Sequence, residues 1–209
     1  MNRAPLLYPR VFDDREAARE YAASAARRNK RIGKVFAKAL SQLGFEKGRI
    51  LDAGTGAGDI PIALATAFPE AIVVGLDLSE PLLEIARASA AKAGLSDRLS
   101  FEKGDVQAMP FEDNSFNAVV SLNTLHVIDN PVAMLNEMER VLAPDGILGV
   151  SDIKRSWLGF CMPILRTALT ATEVKVLLRR SRLRPWEFRE SLLWFSFVAS
   201  KSVESLLRG

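Results

Sequence analysis

Cysteine and histidine each occur once in this chain of 209 residues, as Cys161 and His126, and tyrosine occurs only twice. One cysteine excludes an intrachain disulfide framework. A lone Cys with a lone His is too few ligands for a zinc site, so no metal is expected. Long apolar runs are also missing: the longest, residues 157–169, is too short to span a bilayer and is interrupted by Arg166. Residues 1–30 are rich in charge and lack an apolar core segment, so no secretory leader is expected and a cytoplasmic setting is. No charge of one sign dominates. The net charge is +3, with 25% charged and 48% hydrophobic residues, the balance of a globular chain. Basic residues do gather at Arg27, Arg28, Lys30, Arg31, Lys34 and Lys38, and again at Arg179, Arg180, Arg182, Arg184 and Arg189. Aromatic residues do not interleave them as in single-strand nucleic-acid platforms, so they read as solvated flanks and nucleic acid is not expected as a partner.

Hydrophobic spacing organises the rest. Residues 1–10 read as a loose arm. Residues 13–43 have apolar positions at helical spacing, with a break allowed, so a helical segment is expected over about 11–44, stopping at Gly44. Strands are expected at 49–52, 72–77, 99–102, 116–122 and 147–153. Helices are expected between them at 60–68, from the Ser79 cap to Gly94, and from Asn130 and Pro131. Strict alternation of strand and helix calls for right-handed crossovers and an α/β, doubly wound, mostly parallel sheet with helices on both faces. Past residue 153 the pattern changes. Residues 157–169 read as a short helical segment, and residues 170–173 have capping-box spacing for a helix to about Arg182. Residues 186–191 and 193–200 read as two closely joined strands. A tight connection makes them antiparallel, so seven strands end in a hairpin. With no repeats or linkers, residues 1–209 are expected to form one domain.

The most informative segment is residues 51–59, Leu-Asp-Ala-Gly-Thr-Gly-Ala-Gly-Asp. An apolar strand ends in Asp52, and glycines follow at 54, 56 and 58 before a helix. Such a turn lets backbone approach a ligand closely, and the helix start offers free N–H groups. A dinucleotide loop requires Gly-x-Gly-x-x-Gly, but Asp59 stands where its third glycine belongs. Asp77 ends the second strand, where a carboxylate can accept from both hydroxyls of a ribose. Asp105, just after the third strand, can accept from an adenine amine, with Val106 packed on the ring.

Residues 51–58, 75–79, 105–116, 121–131 and 140–146 together resemble the successive motifs of class I S-adenosylmethionine-dependent methyltransferases, in the branch of the ubiquinone and menaquinone biosynthesis enzymes. The likeness covers roughly residues 45–153. It departs at Thr55, where many members have Cys, and at Asn117, where many have Asp. It implies a Rossmann-like methyltransferase fold and S-adenosylmethionine as cofactor, with S-adenosylhomocysteine as product. Gly54, Thr55, Gly56 and Gly58 would form the loop under the methionine and ribose portions, with Asp52 ordering it or facing the amino group. Asp77 would hold the ribose hydroxyls, Leu78 would lie on the adenine, and Asp105 and Val106 would read it. Ser121 and Asn123 would border the methionine and methyl group, and Tyr21 would close over the cofactor.

The sulfonium brings the electrophile, so the protein has to align a nucleophile and exclude water. His126, just past the fourth strand, is a candidate base; the competing reading is a histidine bonded to backbone within the apolar run 125–128. Asp152 is a second candidate. Trp157, Leu158, Phe160, Met162, Ile164 and Leu165 either line a hydrophobic acceptor pocket or pack as core. A small-molecule methyl acceptor is favoured. A methyltransferase acting on RNA, a non-catalytic S-adenosylmethionine-binding protein and a nicotinamide-dependent oxidoreductase stay open.

Overall fold

A computed structural model describes residues 3–6, 9, 11–183 and 186–200. Part of the expected N-terminal arm and Arg184 lie outside the described residues. Helix α1 (Arg15–Gln42) runs unbroken, its start capped by Asp14 Oδ1, which accepts from the Ala17 N–H at 2.8 Å. The break allowed in the sequence does not occur, because no proline interrupts those 28 residues and Phe36, Ala37 and Leu40 bury one face.

Strands and helices then alternate as β1 (Gly48–Ala53), α2 (Asp59–Ala67), β2 (Ala71–Asp77), α3 (Glu80–Lys92), β3 (Leu99–Lys103), β4 (Phe116–Leu122), α4 (Pro131–Val141) and β5 (Leu142–Ile153). Two 3-10 turns (Trp157–Phe160 and Pro163–Arg166), α5 (Ala171–Arg180), β6 (Glu187–Glu190) and β7 (Trp194–Ala199) complete the chain. The sheet order is β3-β2-β1-β4-β5-β7-β6. The first five strands in that order are parallel, and β7 runs antiparallel to both β5 and β6.

Period-two alternation assigns each strand residue to a face. Ile50, Val73, Ala118, Val120 and Ile147 face Phe36 and Leu40 of α1, Leu64 of α2 and Leu83 of α3. Their neighbours Leu51, Val74, Val119, Leu148 and Val150 face Met134, Leu135 and Met138 of α4 and Leu178 of α5. The sheet is therefore buried on both sides, as parallel sheets require. Its order reverses between β1 and β4. Adjacent crossovers leave opposite faces there, which opens a crevice at the strand C-termini. Among the described residues no helix is long and apolar enough to cross a membrane.

Two local expectations change. Residues 157–169 form two 3-10 turns instead of one helix. Pro163 has no N–H to donate and bars the helical conformation to Met162, which sits at φ −128° and ψ 86°. Strand β5 begins at Leu142, five residues before the expected start, pairing Leu142 with Phe116 ahead of an irregularity that resumes at Ile147.

Candidate cofactor and acceptor site

The loop after β1 is fixed from below. Its Gly54 and Thr55 N–H groups both donate to the Leu76 carbonyl, at 2.8 and 3.0 Å, and Gly56 N–H donates to Asp77 Oδ2 at 2.8 Å. Gly54, Gly56 and Gly58 all have positive φ, at 80°, 53° and 81°. At Gly58 a Cβ would stand 2.8 Å from that of Ala86, and at Gly54 it would collide with the Thr124 hydroxyl. Gly56 is different. Nothing lies within 4 Å of the position its Cβ would take, so its bare backbone faces open space.

That space is a cavity of about 1080 Å3 over the ends of β1, β2, β4 and β5. Small-molecule pockets span roughly 300–1,000 Å3, so there is room for a cofactor and a second molecule. Of the expected residues, Tyr21, Gly54, Gly56, Asp77, Leu78, Val106, Asn123 and His126 line it. Tyr21 stacks on Phe12 with ring centroids 4.7 Å apart, and both face the cavity. Thr55 reaches only a small adjoining recess of about 30 Å3, which Tyr21 and Asn123 share.

Four more expected residues are not brought to the main wall. Asp52 lies beneath the loop, almost wholly buried. Gly58 caps the start of α2. Ser121 is buried, and its hydroxyl donates to the Ala53 carbonyl at 2.7 Å, bracing β4 against β1. Asp105 is likewise occupied in its own turn, where Oδ1 accepts from the Gln107 N–H at 2.8 Å; the neighbouring Gly104 and Val106 supply the wall.

Electrostatics at the loop are unusual. Burial pushes the Asp52 carboxyl up to about 7; the nearby Thr55 hydroxyl opposes this and the Asp77 charge adds to it. Burial also raises Asp77, while the Ser79, Gly56 and Leu78 N–H groups offset it. Both Asp52 oxygens, Thr55 Oγ1 and Asn123 Oδ1 are buried with no hydrogen-bond partner of good geometry. Groups of that kind need an explanation in a folded protein. A ligand carrying a positive charge and N–H or O–H donors would supply one. Asn123, held at φ 55°, aims from the tip of β4 into this region, its N–H anchored to Ser151 O at 3.0 Å.

At the far end of the cavity His126 and Asp152 form a buried pair. His126 Nδ1 is 2.7 Å from Asp152 Oδ1, and the His126 N–H donates to Oδ2 at 3.1 Å. Ile153 N–H also donates to Oδ1, at 2.7 Å. The Arg3 guanidinium donates to the His126 carbonyl and, at 2.7 Å, to that of Thr167. The sequence offered His126 and Asp152 as separate candidates; the fold joins them. Spacing could not show this, because the two meet only when β5 lies beside β4. Sequence reading also missed Arg27, Arg28 and Arg31, which line the cavity from α1, and Leu193 and Trp194 from the hairpin. Of the 157–169 segment, Met162, Ile164 and Leu165 line the cavity, whereas Trp157 and Phe160 are 67% and 84% exposed.

A 3-2-1-4-5-7-6 sheet with its cavity over a glycine turn and an acid-tipped second strand is the architecture of class I S-adenosylmethionine-dependent methyltransferases. The family model of a methyltransferase domain matches residues 45–179, and the chain belongs to that family. It is 41% identical over 113 residues to a sterol 24-C-methyltransferase of Aspergillus fumigatus, covering 53% of this chain and 29% of that protein. To a demethylmenaquinone methyltransferase of Thermus thermophilus it is 42% identical over 104 residues, covering 50% and 46%. The chain thus matches less than half the length of these curated relatives. A solved structure of a putative S-adenosyl-L-methionine-dependent methyltransferase from Methanococcus maripaludis superposes with a TM-score of 0.78 at 21% identity, over 95% of this chain and 96% of the other. An S-adenosylmethionine-dependent methyltransferase from Aquifex aeolicus gives 0.73 at 23%, over 90% and 98%. Both bear on the fold alone.

Proposed function

We propose that this protein transfers the methyl group of S-adenosylmethionine to a small, largely apolar acceptor, with His126 as general base. The observation that carries the reading is one continuous cavity with two chemically distinct ends: Asp77, Leu78 and Val106 at one, and His126 among Val127, Ile128, Ile153 and Leu165 at the other.

The cofactor supplies a sulfonium-activated methyl group. Asp77, its carboxylate steadied by the Gly56 and Ser79 N–H groups, keeps lone pairs for two ribose hydroxyls. Leu78 and Val106, both on the wall, would pack against the adenine. Asn123, on the wall, would meet the positively charged methionine end, and buried Asp52 would order the loop beneath it. Two backbone N–H groups, of His126 and Ile153, donate to the Asp152 carboxylate, so it acts as acceptor and His126 Nδ1 carries the hydrogen between them. The other ring nitrogen, Nε2, is then the basic one. It would take the proton of an acceptor hydroxyl or similar group, readying that atom to receive the methyl group. Apolar walls exclude water during the displacement.

The same reading takes α1 as part of one catalytic domain, since it lines the cavity, and places the protein in the cytoplasm, which suits its single cysteine. Incubating the protein with methyl-labelled cofactor and fractionated cell extract tests it. Label is expected in the small-molecule pool; label in RNA or protein, or none in any pool, contradicts the proposal.

A further inference from the structure

On the basis of that methyl-transfer reading, we propose that the acceptor is an amphipathic acid: its carboxylate or phosphate is held by Arg27, Arg28 and Arg31 while its apolar body lies beside His126. The three arginines fall at i, i+1 and i+4 on α1, on the same face as Ser24, Ile32 and Val35, and all six line the cavity. The neighbouring Lys30, Lys34 and Lys38 do not line it, which is what a merely solvated flank would give.

Arg15, Arg87, Arg140 and Arg155 each pair with a carboxylate, yet Arg27, Arg28 and Arg31 form no ion pair among the described residues. Among the described residues the one acid on the wall, Asp77, sits at the end proposed for the nucleoside, with its oxygens already accepting from backbone. Like charges this close on a helix repel one another. An anion lying among them relieves that repulsion, and the planar guanidinium fork matches a carboxylate or phosphate in two-point contact. Ile153, Leu165 and Trp194 add apolar wall to the same cavity. Cationic and apolar walls in one cavity define the ligand class.

Calorimetric titration of the full chain, saturated with S-adenosylhomocysteine, with decanoate, decyl phosphate and decanol tests this. The two acids are expected to bind at least about tenfold more tightly than the alcohol, with the preference shrinking as salt screens the charges. In the variant Arg27→Gln/Arg28→Gln/Arg31→Gln the preference should vanish while S-adenosylhomocysteine affinity stays within about twofold. Equal affinity for acid and alcohol in the wild-type chain overturns the proposal without needing the variant. Loss of S-adenosylhomocysteine affinity in the variant, with the acid preference intact, also overturns it by placing the stripe on the cofactor. Arginine-dependent capture by phosphatidylglycerol vesicles with no decanoate preference does so too, making the stripe a membrane contact. Failure of the wild-type chain to bind S-adenosylhomocysteine is a separate result, and it removes the methyl-transfer reading itself.

Discussion

Asp152 grips His126 at two points, accepting from the backbone N–H at 3.1 Å through one oxygen and meeting the ring Nδ1 at 2.7 Å through the other. This fixes both the position of the residue and the face of its ring, and makes Nε2 the proposed base. His126→Gln is expected to lower kcat on the order of 100-fold, the low end for a general base. Asp152→Asn should fall by a similar factor, and the double variant no further, because the two act as a unit. S-adenosylhomocysteine affinity should hold in both single variants. Steady-state kinetics alongside calorimetric binding checks this; undiminished kcat in His126→Gln ends the base assignment.

Asp77 ties the glycine loop to the end of β2, and in the proposed reading its remaining lone pairs would accept from the ribose. Asp77→Ala removes two charge-assisted hydrogen bonds to the cofactor, each about 1.5–3 kcal/mol. A loss of S-adenosylhomocysteine affinity of at least about 100-fold follows by affinity arithmetic. Circular dichroism separates this from unfolding: the expected variant keeps its helix signal while binding is lost.

The loop glycines should split by role. Gly58→Ala sets a methyl 2.8 Å from Ala86 at φ +81°, which should cost about 1–3 kcal/mol of overpacking and strain and lower Tm by several degrees. Gly56→Ala meets no atom within 4 Å, so its stability cost is the left-handed backbone alone, about 1–2 kcal/mol. Its new methyl faces the cavity, so its principal effect should be weaker cofactor binding. Thermal melts with and without S-adenosylhomocysteine distinguish the two.

Asp52 makes stability depend on pH in a definite direction. Its carboxyl is raised from 3.8 to about 7 in the folded protein, so between those values the folded state holds a proton that the unfolded state releases. Stability from this group is full below pH 3.8 and is lost as pH rises toward and through about 7. The shift corresponds to roughly 4 kcal/mol at most. Asp52→Asn should flatten the dependence, leaving the variant the more stable protein at pH 8 and not at pH 4. Denaturant melts across that range measure it, and parallel pH curves for variant and wild type contradict it.

Much of this was legible before folding. The alternation of apolar runs and helical faces in residues 49–153 dictates the doubly wound order, and the close pair of strands at the end dictates the antiparallel hairpin. Asp77 could be placed at the cavity because a strand tip is a local feature. The local partners of Asp105 and Ser121, Gln107 N–H and the Ala53 carbonyl, are not legible in the sequence, because a short polar side chain bonds to whichever backbone group the fold brings nearest. The pairing of His126 with Asp152 and the turning of Arg27, Arg28 and Arg31 toward the cavity depend on how β5 and α1 lie against the rest. Local patterning does not encode either.

The central claim is that the cavity holds S-adenosylmethionine, and titrating the full chain with S-adenosylhomocysteine and with NAD tests it most directly. Saturable binding of S-adenosylhomocysteine at one site per chain, with no heat from NAD, is the predicted result. Binding of NAD with none of S-adenosylhomocysteine would contradict the account.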